Sequence, residues 1–572
     1  MNHQLLLVVG AALAIMVAAS VFSRRTGIAT PLLLAVLGIG ASYLPGAPTV
    51  DISPEVVLAG VLPALLYASA VNLPVLDVRR NVSLIGWLSI VMVVVSAVVI
   101  GAVVHLLFSG IPFALGVALG AVVSPTDAVA ATAIGRRLGL PPRLMTVLEG
   151  ESLVNDASAL VVLRTATAAL TAAGGLTVWS TAVDFVWAVA GAVGIGLAVG
   201  WLTVLLRQRL DDPVLNTTIS FAVPFLAFVP AEEAGVSGVL AVVVAGLVTG
   251  TLGSRRFSAR DRQTQATTWT TASFVLESAV FLGMGYQLPQ LLEAAHDETT
   301  VGRISALVVV VVALLLVLRF VGLLWPALTG RAARGSDRGE ALRARYDAFE
   351  EKLDAMSPPA DEREASRLGW ARRRLARGRA DVDFEQREPI TGRGYLVLAW
   401  AGMRGVVTVA AAQTIPEGTP QRATVVLAAF LVALVTLVLF GLTLPWLIAR
   451  MDFRSADGVE RRDAVQALLR QVGESAVDAV GPVEEQTIDG EPVDPALASR
   501  LREEVLPRLL AGAGHLDEHP GAVEQMLILQ RRYLDAMRDA LLTERDIGAY
   551  PSDTYKRVEA MLDTVEHRLD RS

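Results

Sequence analysis

The residues with the clearest chemical potential form one short stretch, Glu149–Asp156, which reads Glu-Gly-Glu-Ser-Leu-Val-Asn-Asp inside an apolar segment. Ser152 precedes Asn155 by three positions and Asp156 by four, so a helix places all three side chains on one face. Hydroxyl, amide and carboxylate oxygens are hard ligands that suit a small cation. A carboxylate that can hold either a proton or a cation is the minimum machinery for exchanging one for the other.

Two further motifs interrupt apolar segments. Ser124-Pro125-Thr126-Asp127 contains a proline, which removes a helical hydrogen bond and leaves backbone carbonyl groups available to a site. Gly402-Met403-Arg404-Gly405 lies near the start of another apolar segment. Broken helices bury dipole ends, and the charges of Asp127 and Arg404 could neutralise a helix N-terminus and C-terminus respectively. For Arg404 we favour this compensation over direct contact with an ion.

Other charged residues also lie within apolar segments. Each costs about 2.5–3.5 kcal/mol at membrane depth, so a partner or a water-filled cavity is expected for each. Arg319 is the predicted mate of Glu151. Glu277 and Arg164 have no partner that the sequence identifies. The alternative interpretation for any single member of this set is a position at the membrane interface, or an ion pair that only holds helices together.

The composition indicates which elements position these residues. Of the 572 residues 53% are hydrophobic and 18% are charged, whereas soluble domains carry about 25% charged residues. A hydrocarbon core of about 30 Å requires about 20 apolar residues per helix. Thirteen such spans are predicted: Leu5–Phe22, Ala29–Leu44, Val56–Val71, Val82–Phe108, Pro112–Ile134, Thr146–Ala172, Ala182–Leu206, Val214–Val229, Val236–Leu252, Thr267–Tyr286, Ile304–Leu328, Gly394–Ile415 and Val425–Ile448.

The arginines test this count independently, because they occupy every second loop. The alternating loops are nearly free of them, with Arg303 and Arg422 as the exceptions. The positive-inside rule then predicts an N-terminus outside and a C-terminus in the cytoplasm. The arginine-rich loops contain Arg24, Arg25, Arg79, Arg80, Arg136, Arg137, Arg143, Arg207, Arg209, Arg255, Arg256, Arg260 and Arg262.

Thirteen spans imply an internal symmetry. Spans one to six and eight to thirteen have opposite orientations, as in the inverted repeats of many secondary transporters. The fifth span of each half carries one of the two interruptions, which is the best sequence indicator of a transport site. The predicted fold is an all-α polytopic membrane protein with a 6+1+6 inverted repeat and two broken crossing helices.

Two polar stretches complete the chain. Residues 1–452 form the predicted membrane domain, which includes a cytoplasmic insert, residues 330–392, interpreted as a helical hairpin broken at Ser357-Pro358-Pro359. Residues 453–572 form a helical cytoplasmic tail. In the tail, Val523–Leu542 has apolar residues at helical spacing, and a further helix begins at the predicted cap Ser552.

Several classes of function are excluded or disfavoured. The absence of cysteine excludes disulfides, iron–sulfur clusters and thiol nucleophiles. A net charge of −7 indicates no nucleic-acid partner. With no nucleotide-binding loop or metal-ligand cluster, no cofactor and no enzymatic activity are predicted.

At these residues the sequence resembles the electroneutral monovalent cation:proton antiporter family, which includes bacterial sodium/proton exchangers. The resemblance rests on Ser124-Pro125-Thr126-Asp127, Glu151–Asp156, Arg319 and Gly402–Gly405 in family order, and covers about residues 1–450. It implies a homodimer in the bacterial plasma membrane, with a scaffold and a core that moves as an elevator. Na⁺ and H⁺ would be the substrates and the lipid bilayer the surroundings.

The resemblance also implies residue roles. Asp156 would carry the cation and the proton, with Asp127, Ser152 and the Thr126 backbone as further ligands. Asn155 stands where electrogenic members have aspartate, which indicates one-for-one exchange. Family members also pair residues at the positions of Glu151 and Arg319. The insert is longer than the usual connection.

Three rival interpretations remain. The nearest is potassium/proton exchange on the same scaffold. A membrane sensor that binds an ion and signals through its tail belongs to a different class. An intramembrane aspartyl protease would also use two buried aspartates, but Asp127 and Asp156 lack the Gly-x-Gly-Asp and tyrosine contexts of those enzymes.

Overall fold

The computed structural model describes residues 3–26, 28–45, 53–171, 178–328, 331–355, 361–451, 453, 457–482, 485–488, 491–493 and 520–569. The described chain is almost entirely helical, and its one sheet is a two-residue antiparallel hairpin in which Thr487 pairs with Pro492. The chain divides into two compact units.

The first unit comprises Met1–Phe257, Gln263–Thr329 and Ile390–Phe453. Up to residue 328 the helices are α1 His3–Thr26, α2 Thr30–Ser42, α3 Leu62–Asn72, α4 Val75–Gly86, α5 Met92–Leu107, α6 Phe113–Val123, α7 Ala128–Leu138, α8 Pro142–Thr171, α9 Val178–Arg207, α10 Pro213–Glu233, α11 Gly238–Arg256, α12 Ala259–Tyr286, α13 Leu288–Ala295 and α14 Val301–Leu328. Single π-helical segments, Val56–Val61 and Trp87–Val91, precede α3 and α5.

The second unit comprises Ser258–Arg262, Gly330–Pro389 and Arg454–Ser572, so the insert and the tail fold together. The later helices are α15 Arg331–Asp354 and α16 Glu362–Arg387 of the insert, α17 Gly392–Trp400, α18 Val406–Gln413 and α19 Arg422–Met451 of the first unit, and α20 Asp457–Val480, α21 Pro520–Ile547 and α22 Ser552–Leu569 of the tail. Strands β1 Thr487–Ile488 and β2 Glu491–Pro492 lie between α20 and α21.

Helices overlap every predicted span. Within the described residues, nine helical segments are long and apolar enough to cross a membrane, and Thr30–Ser42 and Val56–Asn72 are shorter apolar helices. The chain is therefore a multi-pass membrane protein, whereas the exact number of thirteen crossings stays a prediction. Helix α13 was not anticipated, because its eight residues are too few to cross.

Both predicted interruptions are present as breaks between helices. The fifth predicted span is divided into α6 and α7, and the twelfth into α17 and α18. Apolar packing holds both breaks in place, because Ala130 of α7, Met403 of the second break and Phe430 of α19 belong to one buried cluster. Half-helices α7, α17 and α18 therefore contribute to this cluster, while α6 packs with α18 in a second cluster that contains Leu119 and Ala412.

The second unit has its own apolar core. Leu468 and Val472 of α20 pack with Leu534 and Met537 of α21 and with Val558 of α22. The predicted helix Val523–Leu542 lies within α21, and α22 begins at the predicted cap Ser552. The predicted hairpin corresponds to α15 and α16, while Ser357-Pro358-Pro359 and the side chains of Met526 and Leu527 lie outside the described residues.

A cavity of about 600 Å³ in the second unit is lined by both the insert and the tail. On its insert side, Arg379 of α16 forms ion pairs with Asp347 and Glu350 of α15. On its tail side, Gln471 hydrogen-bonds Glu544. Partial burial raises the pKa of Glu544, and this hydrogen bond partly offsets the effect.

Candidate ion-binding site

The two helix breaks meet directly. The backbone N–H of Asp127 in the first break donates to the carbonyl oxygen of Met403 in the second, at 2.7 Å. A Cβ atom on Gly405 would lie 2.8 Å from Asp127 Oδ2, so only glycine permits this approach. A second close approach occurs at Gly402, where a Cβ atom would lie 2.8 Å from Arg319 Cδ. The two glycines of the motif explain how the breaks come together.

Asp127 caps the N-terminus of α7. Its Oδ1 accepts a hydrogen bond from the backbone N–H of Val129 at 2.8 Å, as expected of an aspartate N-cap. Ser152 Oγ accepts from the neighbouring backbone donor, the N–H of Ala128, at 3.3 Å. The carboxylate and the hydroxyl therefore lie at the same positive helix end.

Arg404 lies near the C-terminus of a half-helix, whereas Asp127 lies at an N-terminus. Its Nη1 donates to the Pro125 carbonyl oxygen, just beyond the C-terminus of α6, at 3.3 Å. Its backbone N–H donates to Thr436 Oγ1 of α19 at 3.3 Å. The residue is 4% exposed, and its Nε has no hydrogen-bond partner among the described residues. The cation thus lies beside the negative end of a half-helix.

A chain of hydrogen bonds links α8 to the first break and to α14. Asn155 Nδ2 donates to Thr126 Oγ1 at 2.9 Å, and Thr126 Oγ1 donates to Glu151 Oε1 at 3.0 Å. Arg319 donates to both oxygens of Glu151, through Nη1 at 2.6 Å and Nη2 at 3.1 Å. Arg319 also donates to the Leu398 carbonyl oxygen from Nε and Nη2. The Thr126 side chain, whose role the sequence did not suggest, joins the ion pair to Asn155.

Asp156 is the least committed group of this cluster. It is 7% exposed, and no hydrogen bond or ion pair involves its side chain within the part of the chain that the structure describes. The carboxylate of Asp127 is close enough to interact with it electrostatically. Among the described side chains, Asn155 Oδ1 is also a buried acceptor with no donor. The arrangement leaves carboxylate and amide oxygens available to a proton or a hard cation.

The remaining charged residues divide into paired and unpaired ones. Arg164 contacts Glu232 of α10, a partner that the sequence could not identify across 68 residues. Glu149 pairs with Arg136 at 2.6 Å, near the surface. Glu277 of α12 makes no hydrogen bond or ion pair within the described ranges. Sequence reasoning also missed Ser89, whose Oγ donates to the Glu151 carbonyl oxygen at 3.0 Å.

Fold and site together define a class. Apolar helices cross a membrane repeatedly, two of them are interrupted at the same place, and buried carboxylates lie where the interruptions meet. Interrupted helices of this kind form the substrate sites of secondary transporters.

The family follows from comparison with known proteins. Residues 10–344 match the family model described as sodium/hydrogen exchanger, transmembrane. This match covers more than half of the chain, and the protein belongs to the sodium/hydrogen exchanger family.

Similar proteins agree with this assignment. An uncharacterised Na⁺/H⁺ exchanger of Mycobacterium bovis is 29% identical over 99% of this chain and 96% of its own length. A sodium, potassium, lithium and rubidium/H⁺ antiporter of Bacillus pumilus is 27% identical over 79% of this chain and 62% of its own. The sodium proton antiporter MjNhaP1 of Methanocaldococcus jannaschii has a similar fold, with a TM-score of 0.53 at 15% identity over 78% of this chain and 99% of the other.

Proposed function

We propose that the protein exchanges one Na⁺ for one H⁺ across the bacterial plasma membrane, with Asp156 holding either ion in turn. The observation that carries the proposal is the position of Asp156, a buried carboxylate beside Asp127 that has no hydrogen bond within the described chain. Asp127, Ser152, Asn155 and the Thr126 backbone complete the proposed ligand set.

The charges of the cluster support single-site exchange. Glu151 is already compensated by Arg319, with N–O distances of 2.6 and 3.1 Å, so it is not free to take up a cation. Asn155 carries no charge, and its amide group is held by Thr126. The Asp127 carboxylate accepts the N–H of Val129 at the end of α7. Asp156 is therefore the group at which a proton and a sodium ion compete.

The proposed transport cycle is alternating access, in which the occupied site faces one side of the membrane and then the other. The meeting of two broken helices supports it, because both half-helix pairs could carry the site as one body. The proposal includes thirteen spans in a 6+1+6 inverted repeat, an external N-terminus, a cytoplasmic C-terminus and a homodimer.

Asp156→Asn tests the assignment directly. In proteoliposomes, this variant should lose Na⁺-driven proton movement to the level of protein-free vesicles, because the amide cannot exchange a proton. Asp297→Asn, at an exposed position of the same chain, is the matched control and should transport normally. Full activity of folded Asp156→Asn protein would refute the proposed mechanism.

Asp127→Asn separates ligation from capping. It should weaken Na⁺ affinity more than the maximal rate, because asparagine also caps helices but lacks the charge. Asp212→Asn is the control, since Asp212 caps α10 through the Val214 N–H in the same way. Equal effects of the two variants on affinity would remove Asp127 from the ligand set.

Charge balance provides a second test. With one exchanging carboxylate, transport should follow the pH gradient and ignore the membrane potential, which acts on each net charge moved with about 2.3 kcal/mol per 100 mV. A membrane potential imposed without Na⁺, K⁺ or pH gradients should drive no uptake. Sustained Na⁺ uptake under that condition would show that a second group carries protons, with Asp127 the first residue to test.

Potassium/proton exchange is the second candidate, because the name of the Bacillus pumilus relative includes potassium, lithium and rubidium. Replacing Na⁺ by K⁺, Li⁺ or Rb⁺ at fixed pH gradient in proteoliposomes distinguishes the two. Faster proton movement with K⁺ than with Na⁺ would favour the second candidate.

A further inference from the structure

Glu277 is an acidic residue at membrane depth for which the proposed exchange has no use. It lies in α12, ten residues after Thr267, where the predicted tenth span begins. At about 1.5 Å per helical residue this places it about 15 Å into a hydrocarbon core of about 30 Å. A carboxylate at that depth is expected to face a partner or a water-filled cavity.

No protein partner fills that role within the described residues, where Glu277 has neither a hydrogen bond nor an ion pair. Its side chain is only partly buried, in contrast to the nearly inaccessible Glu151. Arg164, the other charge that the sequence left unassigned, is paired with Glu232. Glu277 is therefore not committed to a protein partner within the described residues.

The neighbours of Glu277 on α12 pack into three apolar clusters. Phe281, four residues later on the same helix face, belongs to the buried cluster that contains Met403 of the second helix break. Val280, three residues later, packs with Ala410 of α18. Leu276 packs against the cluster of Leu153 on α8. Three neighbours of Glu277 thus belong to apolar clusters that also contain residues of the elements that carry the ion site.

Electrostatics connects the same elements. The Asp127 carboxylate is close enough to act electrostatically on Glu277, as it does on Asp156. Asp127 is therefore coupled electrostatically to two carboxylates, Glu277 of α12 and Asp156 of α8. Because Glu277 lies outside both broken helices, it can hold a cation without displacing the ligands of the central site.

We propose that Glu277 is a second cation-binding carboxylate of the transport path, a way station that a monovalent cation occupies on its route to or from Asp156. This inference rests on the proposed cation exchange and extends it to α12. Removing the charge of a carboxylate that holds the cation is expected to weaken the apparent affinity by about ten-fold, which corresponds to about 1.4 kcal/mol.

The test compares Na⁺ dependence of transport in proteoliposomes for the full-length wild type, Glu277→Gln and Glu277→Asp. The neutral variant should raise the apparent KM for Na⁺ about ten-fold while its maximal rate stays within about two-fold of the wild type. Glu277→Asp keeps the charge and should restore most of the affinity. Glu293→Gln, the same substitution at an exposed site of α13, is the matched control and should leave KM unchanged.

The outcomes separate this inference from the proposed function. A wild-type KM in Glu277→Gln, together with an inactive Asp156→Asn, would overturn the way station alone. Equal losses of affinity in Glu277→Gln and Glu277→Asp would show that only side-chain shape matters and would also overturn it. Glu277→Ser is the second neutral variant if Glu277→Gln is not recovered as folded protein.

Discussion

The ion pair between Glu151 and Arg319 allows a quantitative test of the site's architecture. The side chain of Glu151 is 1% exposed and that of Arg319 is 11% exposed, with Nη1 and Oε1 separated by 2.6 Å. Two parallel N–H···O contacts make the pair bidentate, which is the strongest form of this interaction. Removing one partner leaves a buried charge without compensation and is expected to destabilise by about 3–5 kcal/mol.

The two single variants should differ in how much stability they lose. Glu151→Gln keeps an oxygen that can accept from Thr126 and leaves Arg319 bound to the Leu398 carbonyl, so about 3 kcal/mol is expected. Arg319→Gln strands the carboxylate and also removes the donors to Leu398, so about 5 kcal/mol is expected. The double variant strands no charge. The double variant should therefore lose about 2 kcal/mol less unfolding free energy than the sum of the two single losses.

The assay is denaturant unfolding of each variant in the same detergent micelles, with folding checked by size-exclusion chromatography. Arg136 of α7 and Glu149 of α8 provide the matched control, because they also pair at 2.6 Å but are 71% and 24% exposed. A double-mutant cycle on this exposed pair should give a coupling free energy of about 0–1 kcal/mol. A coupling free energy below about 0.5 kcal/mol for Glu151 and Arg319 would refute the reasoning, because substitutions at distant, independent sites are additive to within that amount.

The remaining predictions concern the second unit. Burial gives Glu544 a pKa above that of an ordinary glutamate, so the folded unit binds this proton more tightly and loses stability as the pH rises through the folded-state value. Glu544→Gln should therefore increase hydrogen-exchange protection of α20 and α21 at pH 8 and not at pH 4. The control Glu385→Gln, at an exposed position, should change protection at neither pH. The same gain in protection at both pH values for Glu544→Gln would contradict this. Truncation after Asp452 removes α20, α21 and α22, and if the tail is autoregulatory, the pH profile of transport should shift by about one unit, a coupling of about 1–3 kcal/mol. An unchanged profile in a truncated protein that still inserts would restrict the tail to assembly or solubility.

The sequence by itself determined the class of protein and most of the candidate site. Apolar segments specify membrane helices because lipid leaves the backbone no other hydrogen-bond partner. Proline and glycine specify the two breaks through local backbone chemistry, so the neighbouring residues in the chain were enough to assign Asp127 and Arg404 to helix ends. The spacing of Ser152, Asn155 and Asp156 on α8 is likewise a property of one helix.

Tertiary structure decided which distant groups meet. The Met403 carbonyl meets the Asp127 N–H across 276 residues, and Arg164 finds Glu232 across 68 residues. Such contacts depend on how whole helices pack, and hydrophobic periodicity does not encode the order in which membrane helices associate. For the same reason only the tertiary structure placed the insert and the tail in one unit. It also showed that Glu277, which like Arg164 is a charged residue within a predicted span, has no partner among the described residues.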